Sequence, residues 1–148
     1  MNLLDLVNIL ESEAIVKSPA TPLKLVTLGK IVGLKSGSRV IDFGCGQGEA
    51  LALWAQYFGI TGVGIDSYQV HCERAVNRLA EHGLSEQIEI VCMNAAEYLF
   101  EERSYDVASC IGASFIWTDF RGAIRRMRDA IHAEGRLVIG EPYYTRSD

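Results

Sequence analysis

The chain predicts an α/β fold: a doubly wound, mostly parallel sheet of five strands, with helices ahead of it at the N-terminus. Two observations carry this. Five short apolar runs rich in β-branched residues alternate with runs at helical spacing, and such alternation packs helices on both faces of a parallel sheet through right-handed crossovers. The stretch Val40-Ile41-Asp42-Phe43-Gly44-Cys45-Gly46-Gln47-Gly48-Glu49 then joins the first strand to a helix through a turn with glycine at every second position. At 148 residues and 49% hydrophobic content the chain fits one domain with one core, here a helical cap over residues 1–35 and an α/β core over residues 36–148.

The elements follow in order. Leu3, Leu6, Val7 and Leu10 repeat at helical spacing, so a short amphipathic helix is expected over Leu3–Glu13, broken by Ser18-Pro19-Ala20-Thr21-Pro22. Thr21 as N-cap with Pro22 at the first helical position starts the next helix, which runs to about Val32 and ends at Gly33. Strand Arg39–Phe43 leads into helix Glu49–Phe58, stopped by Gly59, and strand Thr61–Ile65 follows. A helix over about Tyr68–Glu81 carries Val70, Ala75, Val76 and Leu79 and ends at His82-Gly83. Strand Ile88–Cys92 has β-branched residues on both faces, the pattern of a strand covered on both sides. Ala95–Phe100 reads as a short helical or loop segment before strand Tyr105–Ile111. A helix over about Asp119–His132 sets Phe120, Ala123, Ile124, Met127 and Ile131 on one side; Glu134-Gly135 turns the chain into strand Arg136–Gly140.

Composition removes several classes of function. Fourteen Lys+Arg against 19 Asp+Glu gives −5, which argues against a dominant phosphate-binding surface and so against a nucleic-acid partner. The N-terminus lacks the basic flank and apolar core of a secretion signal, and no run is long enough to span a bilayer, so a cytoplasmic protein is expected. Cys45, Cys72, Cys92 and Cys110 are widely spaced with no C-x-x-C, so neither a metal site nor a disulfide framework is expected; Cys92 and Cys110 read as small buried residues. His71, His82 and His132 fall on helices or helix ends with no visible Ser, Cys or carboxylate constellation, and Arg121, Arg125, Arg126 and Arg128 read as a solvated helix face.

The glycine turn carries the chemistry. A strand, a glycine turn and a helix bring bare backbone N–H groups against a ligand. A dinucleotide turn reads G-x-G-x-x-G with its third glycine inside the helix. Here Gly44 and Gly46 fit the first two positions, but the third falls on Glu49, and the extra glycine is Gly48. A glutamate at that helix N-terminus repels a pyrophosphate. With Asp42 just before the turn, the setting is acidic and suits the sulfonium and ammonium groups of S-adenosylmethionine. Asp66 ends the second strand about 20 residues on, where an acid accepts ribose hydroxyls, with Ser67 beside it and Tyr68 next to cover the ring.

The D-x-G-x-G-x-G run of Asp42, Gly44, Gly46 and Gly48 resembles the first motif of class I S-adenosylmethionine-dependent methyltransferases, and the likeness extends over roughly Pro22–Tyr144. The resemblance implies a Rossmann-like sheet of order 3-2-1-4-5, with S-adenosylmethionine held at the crevice between first and fourth strands by Asp42, Gly44, Cys45, Gly46, Gly48, Asp66 and Ser67. It implies adenine contacts at Asn94, Ala95 and Ala96, where Asn94 stands in place of the family's usual acid and offers a neutral amide oxygen. It places the carbonyl of Ile111 against the methionyl ammonium group, with Gly112 and Ala113 leaving room. Phe115, Ile116 and Trp117 follow; Phe115 and Trp117 are candidates to line a substrate pocket, equally suited to core packing. After the fifth strand, Glu141 and Tyr143 are the candidate catalytic groups, and Tyr143 and Tyr144 the candidate stacking surface for the substrate.

These readings point to transfer of a methyl group to a small-molecule acceptor, since no N-P-P-Y type sequence follows the fourth strand. A cofactor-binding module without activity of its own, acting with a partner chain, is the alternative. A dinucleotide oxidoreductase is disfavoured by Glu49. The usual C-terminal hairpin of the family is missing, which is expected to reflect a truncated or naturally short chain, with a longer native protein, a partner chain or self-association covering the fifth-strand edge.

Overall fold

The computed structural model describes residues 20–141. The expected helix over Leu3–Glu13 and the residues Tyr143 and Tyr144 lie outside them. Chain order is α1 (Pro22–Ile31), β1 (Arg39–Phe43), α2 (Glu49–Phe58), β2 (Thr61–Asp66), α3 (Gln69–Glu81), β3 (Ile88–Cys92), β4 (Tyr105–Ile111), a 3-10 turn (Ser114–Trp117), α4 (Phe120–Ala130) and β5 (Ile131–Gly140). The five strands form one parallel sheet in the order β3-β2-β1-β4-β5. Strand order reverses between β1 and β4, which places a crevice beyond their C-terminal ends. No helix among the described residues is long and apolar enough to cross a membrane.

Local signals set most boundaries. Thr21 caps α1, its Oγ1 accepting from Lys24 N at 3.4 Å, with Pro22 in the first turn. Gly59 closes α2 in the left-handed conformation, its N–H donating to Ala55 O at 2.9 Å. Along β1 the side chains alternate. Val40 joins the core under α1, α2 and α3, with Leu51, Leu53, Trp54 and Leu79. Ile41 and Phe43 join the core under α4, with Val63, Ile65, Ala123 and Met127. A central parallel strand is buried on both faces for this reason.

Two expectations are corrected. The helix before the last strand ends at Ala130; Ile131 and His132 already belong to β5. The β4–β5 register passes from Tyr105↔Ile131 to Val107↔Arg136, so Asp106 alone stands opposite His132–Gly135. That bulge is held because the His132 ring meets Asp106 Oδ1 at 2.9 Å while Asp106 Oδ2 accepts Arg39 N at 2.7 Å. Strand β3 stands at one edge of the sheet, and both its faces pack as expected, Ile88 and Ile90 on one core and Val91 on the other, while Glu89 and Cys92 are exposed. Cys92 is therefore an exposed thiol and not a core residue, whereas Cys110 is buried as expected. Residues 95–100 form a turn and loop without helix.

Candidate active site

The turn after β1 is tied to the end of β2. Gly44 N and Cys45 N both donate to Ile65 O, at 2.8 and 3.0 Å. Gly44 lies so close to the loop after β4 that a Cβ there would stand 2.5 Å from the Ala113 methyl, so only glycine lets the two loops meet. Gly46 and Gly112 differ: both hold positive φ, 56° and 75°, and a Cβ on either would meet nothing within 4 Å. Open space therefore stands over the turn and over the loop that faces it across the β1–β4 crevice.

Asp66 closes one end of this space. Its Oδ2 accepts Gly46 N at 2.9 Å and its Oδ1 accepts Tyr68 N at 2.9 Å. A carboxylate offers about four lone-pair sites, so two such bonds fix its orientation and leave acceptor capacity free. His71 Nδ1 stands 3.6 Å from Asp66 Oδ1, and the exposed Tyr68 ring meets the His71 ring edge-on at 4.8 Å. The sequence shows no carboxylate constellation at any histidine. The structure brings two together, His71–Asp66 and His132–Asp106. The first carries a local signal, since His71 falls in the first turn of the helix that follows Asp66.

Asp42 lies beneath the turn, 3% exposed, with Ser109 Oγ donating to its Oδ1 at 2.6 Å. Burial pushes its carboxyl up to about 7; the Ser109 bond opposes this, and the carboxylates of Glu49 and Asp66 add to it. Glu49 is not alone in the site: Arg78 reaches back from α3 to within 3.8 Å of its carboxylate and donates to Gln47 O at 3.1 Å. No local signal could reveal Arg78, because 31 residues separate it from Gln47. Cys45 is buried in the turn, and burial, then the charge of Asp42, raise its thiol above the ordinary range, which disfavours the thiolate.

The other predicted residues lie at or just beyond the C-terminal ends of β3, β4 and β5. Asn94 turns its side chain onto its own loop, Oδ1 accepting Ala96 N at 3.0 Å and Nδ2 reaching Glu97 at 3.3 Å. Ala95 is buried in the α4-side core, and its N–H makes no hydrogen bond among the described residues. Ile111 ends β4, and the loop beyond it is pinned to β5: Gly112 N donates to Gly140 O at 2.6 Å and Ser114 N to Glu141 Oε1 at 2.9 Å. Glu141 thus anchors the 3-10 turn. The aromatic run divides. Phe115 is 75% exposed, Ile116 turns inward toward Gly44, and Trp117 lies edge-on against Phe43 at 5.1 Å, its buried Nε1 without a hydrogen-bond partner among the described residues.

Comparison with known proteins agrees with this geometry. A family model described as a methyltransferase domain matches residues 40–135. The uncharacterised protein YjhP of Escherichia coli is 40% identical over 134 residues, which cover 90% of this chain and 54% of that protein. An aklanonic acid methyltransferase from Streptomyces is 32% identical over 111 residues, covering 74% of this chain and 50% of that enzyme. Among solved structures, an S-adenosylmethionine-dependent methyltransferase from Thiobacillus denitrificans, in complex with S-adenosyl-L-homocysteine, superposes with a TM-score of 0.84 at 36% identity, over 99% of this chain and 57% of that one. The chain thus spans about half the length of these relatives.

Proposed function

The chain belongs to the class I S-adenosylmethionine-dependent methyltransferase family, and from that premise we propose that it binds S-adenosylmethionine in the β1–β4 crevice and passes its methyl group to a small organic acceptor. The observation that carries this is Asp66, whose carboxylate is held by the N–H groups of Gly46 and Tyr68 at the edge of open space. The residues fit the cofactor. Asp66 with Ser67 takes the ribose hydroxyls, and Tyr68 covers that end. The Gly44–Gly48 turn admits the methionyl arm, since Gly46 presents no side chain. Ala95 offers an unengaged N–H to the adenine edge, beside Asn94 and Ala96. The carbonyl of Ile111 faces the ammonium group. Glu49 supplies negative potential for a positively charged ligand, Asp42 adds to it as its carboxyl ionises near pH 7, and Arg78 limits it. A solved structure similar at 36% identity holds S-adenosyl-L-homocysteine, which supports the same ligand here.

When bound, the cofactor supplies a methyl carbon activated by the adjoining sulfonium, so the chain's work is orientation and exclusion of water. The loop after β4 is the element closest to that task. Glu141 holds it through Ser114 N and keeps Oε2 without a partner among the described residues, available to take a proton from the acceptor. Phe115 offers an exposed apolar surface beside it, and Tyr143 and Tyr144 follow Glu141 in the sequence as further candidates to meet the acceptor. The net charge of −5 and the likeness to an aklanonic acid methyltransferase favour a small organic acceptor over a nucleic acid. The test is calorimetric titration with S-adenosyl-L-homocysteine, followed by labelled-methyl transfer into pools of small organic acids, phenols and sterols. Binding with transfer is expected. Tight binding of NAD, with none of S-adenosyl-L-homocysteine, would overturn the reading.

A further inference from the structure

Two of the four thiols converge at the adenosine end of the crevice. Cys92 follows Ile88 and Ile90 at alternate positions of β3, so it shares their face, the face on which α3 packs. Its Sγ stands 3.5 Å from Gln69 Oε1 on the first turn of α3. Cys72 lies one turn after Gln69 and so shares that helix face. The Cys72 thiol donates to Asp66 O at 3.2 Å, and Asp66 is the residue paired with Cys92 across β2 and β3. Asp66 O accepts both the Cys72 thiol at 3.2 Å and the N–H of Met93 at 2.9 Å, so Cys72 Sγ lies at the C-terminal end of β3 beside Cys92. Cys92 is exposed and Cys72 buried behind it.

We propose that Cys72 and Cys92 form a redox-active pair that closes into an internal disulfide when the chain meets a small-molecule disulfide, and that this bond weakens the adenosine end of the crevice. Cys92, the accessible thiol, reacts first. Its thiolate attacks one sulfur of RS–SR, forming a Cys92–SR mixed disulfide and expelling RS⁻, which takes up a proton. The Cys72 thiolate then attacks Cys92 Sγ; the Cys72–Cys92 bond forms and the second thiol leaves. The balance is a protein dithiol and RS–SR giving a protein disulfide and two RSH. Burial raises the Cys72 thiol above its ordinary value, so the second step is the slow one and quickens as pH rises. Once oxidised, Cys72 has no proton to donate to Asp66 O. This last consequence rests on the proposed function, in which Asp66 holds the ribose.

The experiment treats the whole chain with oxidised glutathione and reads intact mass and mapped peptides. Wild type is expected to lose two hydrogens and to yield a Cys72–Cys92 linked peptide. Cys92→Ser is expected to yield no internal disulfide, and Cys72→Ser to stop at a glutathione adduct on Cys92. Wild-type mapping needs no substitution and decides alone if Cys72→Ser fails to fold. Glutathione adducts without an internal bond, or a bond mapped to Cys45 or Cys110, overturn the pair. S-adenosyl-L-homocysteine affinity is then compared in reduced and oxidised wild type. A fall of roughly three- to tenfold is expected, the worth of one hydrogen bond, and equal affinity overturns the weakening. No binding to the reduced chain overturns the proposed function and the weakening with it, while the mass result still decides the disulfide.

Discussion

Asp66 does two jobs with one carboxylate: it fixes the glycine turn through Gly46 N and, in the proposed function, accepts the ribose hydroxyls. Hydrogen bonds to a charged acceptor contribute about 1.5–3 kcal/mol each. Asp66→Ala is therefore expected to weaken S-adenosyl-L-homocysteine binding by roughly ten- to a hundredfold for each ribose hydrogen bond it removes, measured by calorimetry. Asp42 makes a different prediction. Its folded-state carboxyl titrates near 7 because burial penalises the ionised form. An acid held above its unfolded value binds more protons when folded, so it favours the fold most at low pH, and this contribution is lost as pH rises from about 4 to about 7. Asp42→Asn removes that dependence, on the order of a few kcal/mol, while its amide oxygen can still accept from Ser109. Urea midpoints of the two proteins between about pH 4.5 and about pH 8 should diverge as pH rises; parallel curves would refute the buried-acid account.

At the scale of elements, the least expected piece is the bulge that opens β5. The sequence alone reads helix through His132, because Phe120, Ala123, Ile124, Met127 and Ile131 keep a helical period. The tertiary partner decides otherwise: Asp106 draws His132 into the sheet, and its other oxygen holds Arg39 N at the start of β1. Although its burial opposes ionisation, the His132 ring and the Arg39 N–H outweigh that and hold the Asp106 carboxyl below its usual value. Gly135 makes the bulge compact. A Cβ there would stand 2.6 Å from Ile131 Cβ and 3.1 Å from Asp106 O, so Gly135→Ala should destabilise the fold by about 1–3 kcal/mol in chemical denaturation. The helices α1, α2 and α3 are easier to read, since Thr21, Pro22, Gly33, Gly48, Gly59 and Gly83 mark their ends within the chain itself.

At the scale of the whole molecule, two cores lie back to back across the sheet, and one side chain couples the N-terminal described helix to the rest. Trp54 on α2 is fully buried and donates its Nε1–H to Leu25 O on α1 at 2.8 Å. Trp54→Phe keeps most of the apolar surface and removes that donor, so a cost of about 1–3 kcal/mol is expected. Amide exchange should quicken first in α1, with the central strands β1 and β4 protected; uniform loss of protection would show that the bond serves the whole core instead.

The sequence by itself determined the alternating elements, the crevice and the cofactor-type turn, because alternation, capping and the D-x-G-x-G-x-G spacing are all local patterns written within a few residues. What only the tertiary structure decided were meetings between distant segments. Arg78 comes to Glu49, His132 to Asp106, Trp117 to Phe43, and Cys72 to the end of β3 beside Cys92. It also decided that β3 is an edge, which left Cys92 exposed where its apolar neighbours read as core. The physical reason is common to all of them. Periodicity says which way a side chain points along its own element, while its partner, its burial and its charge state are set by whichever element packs against it.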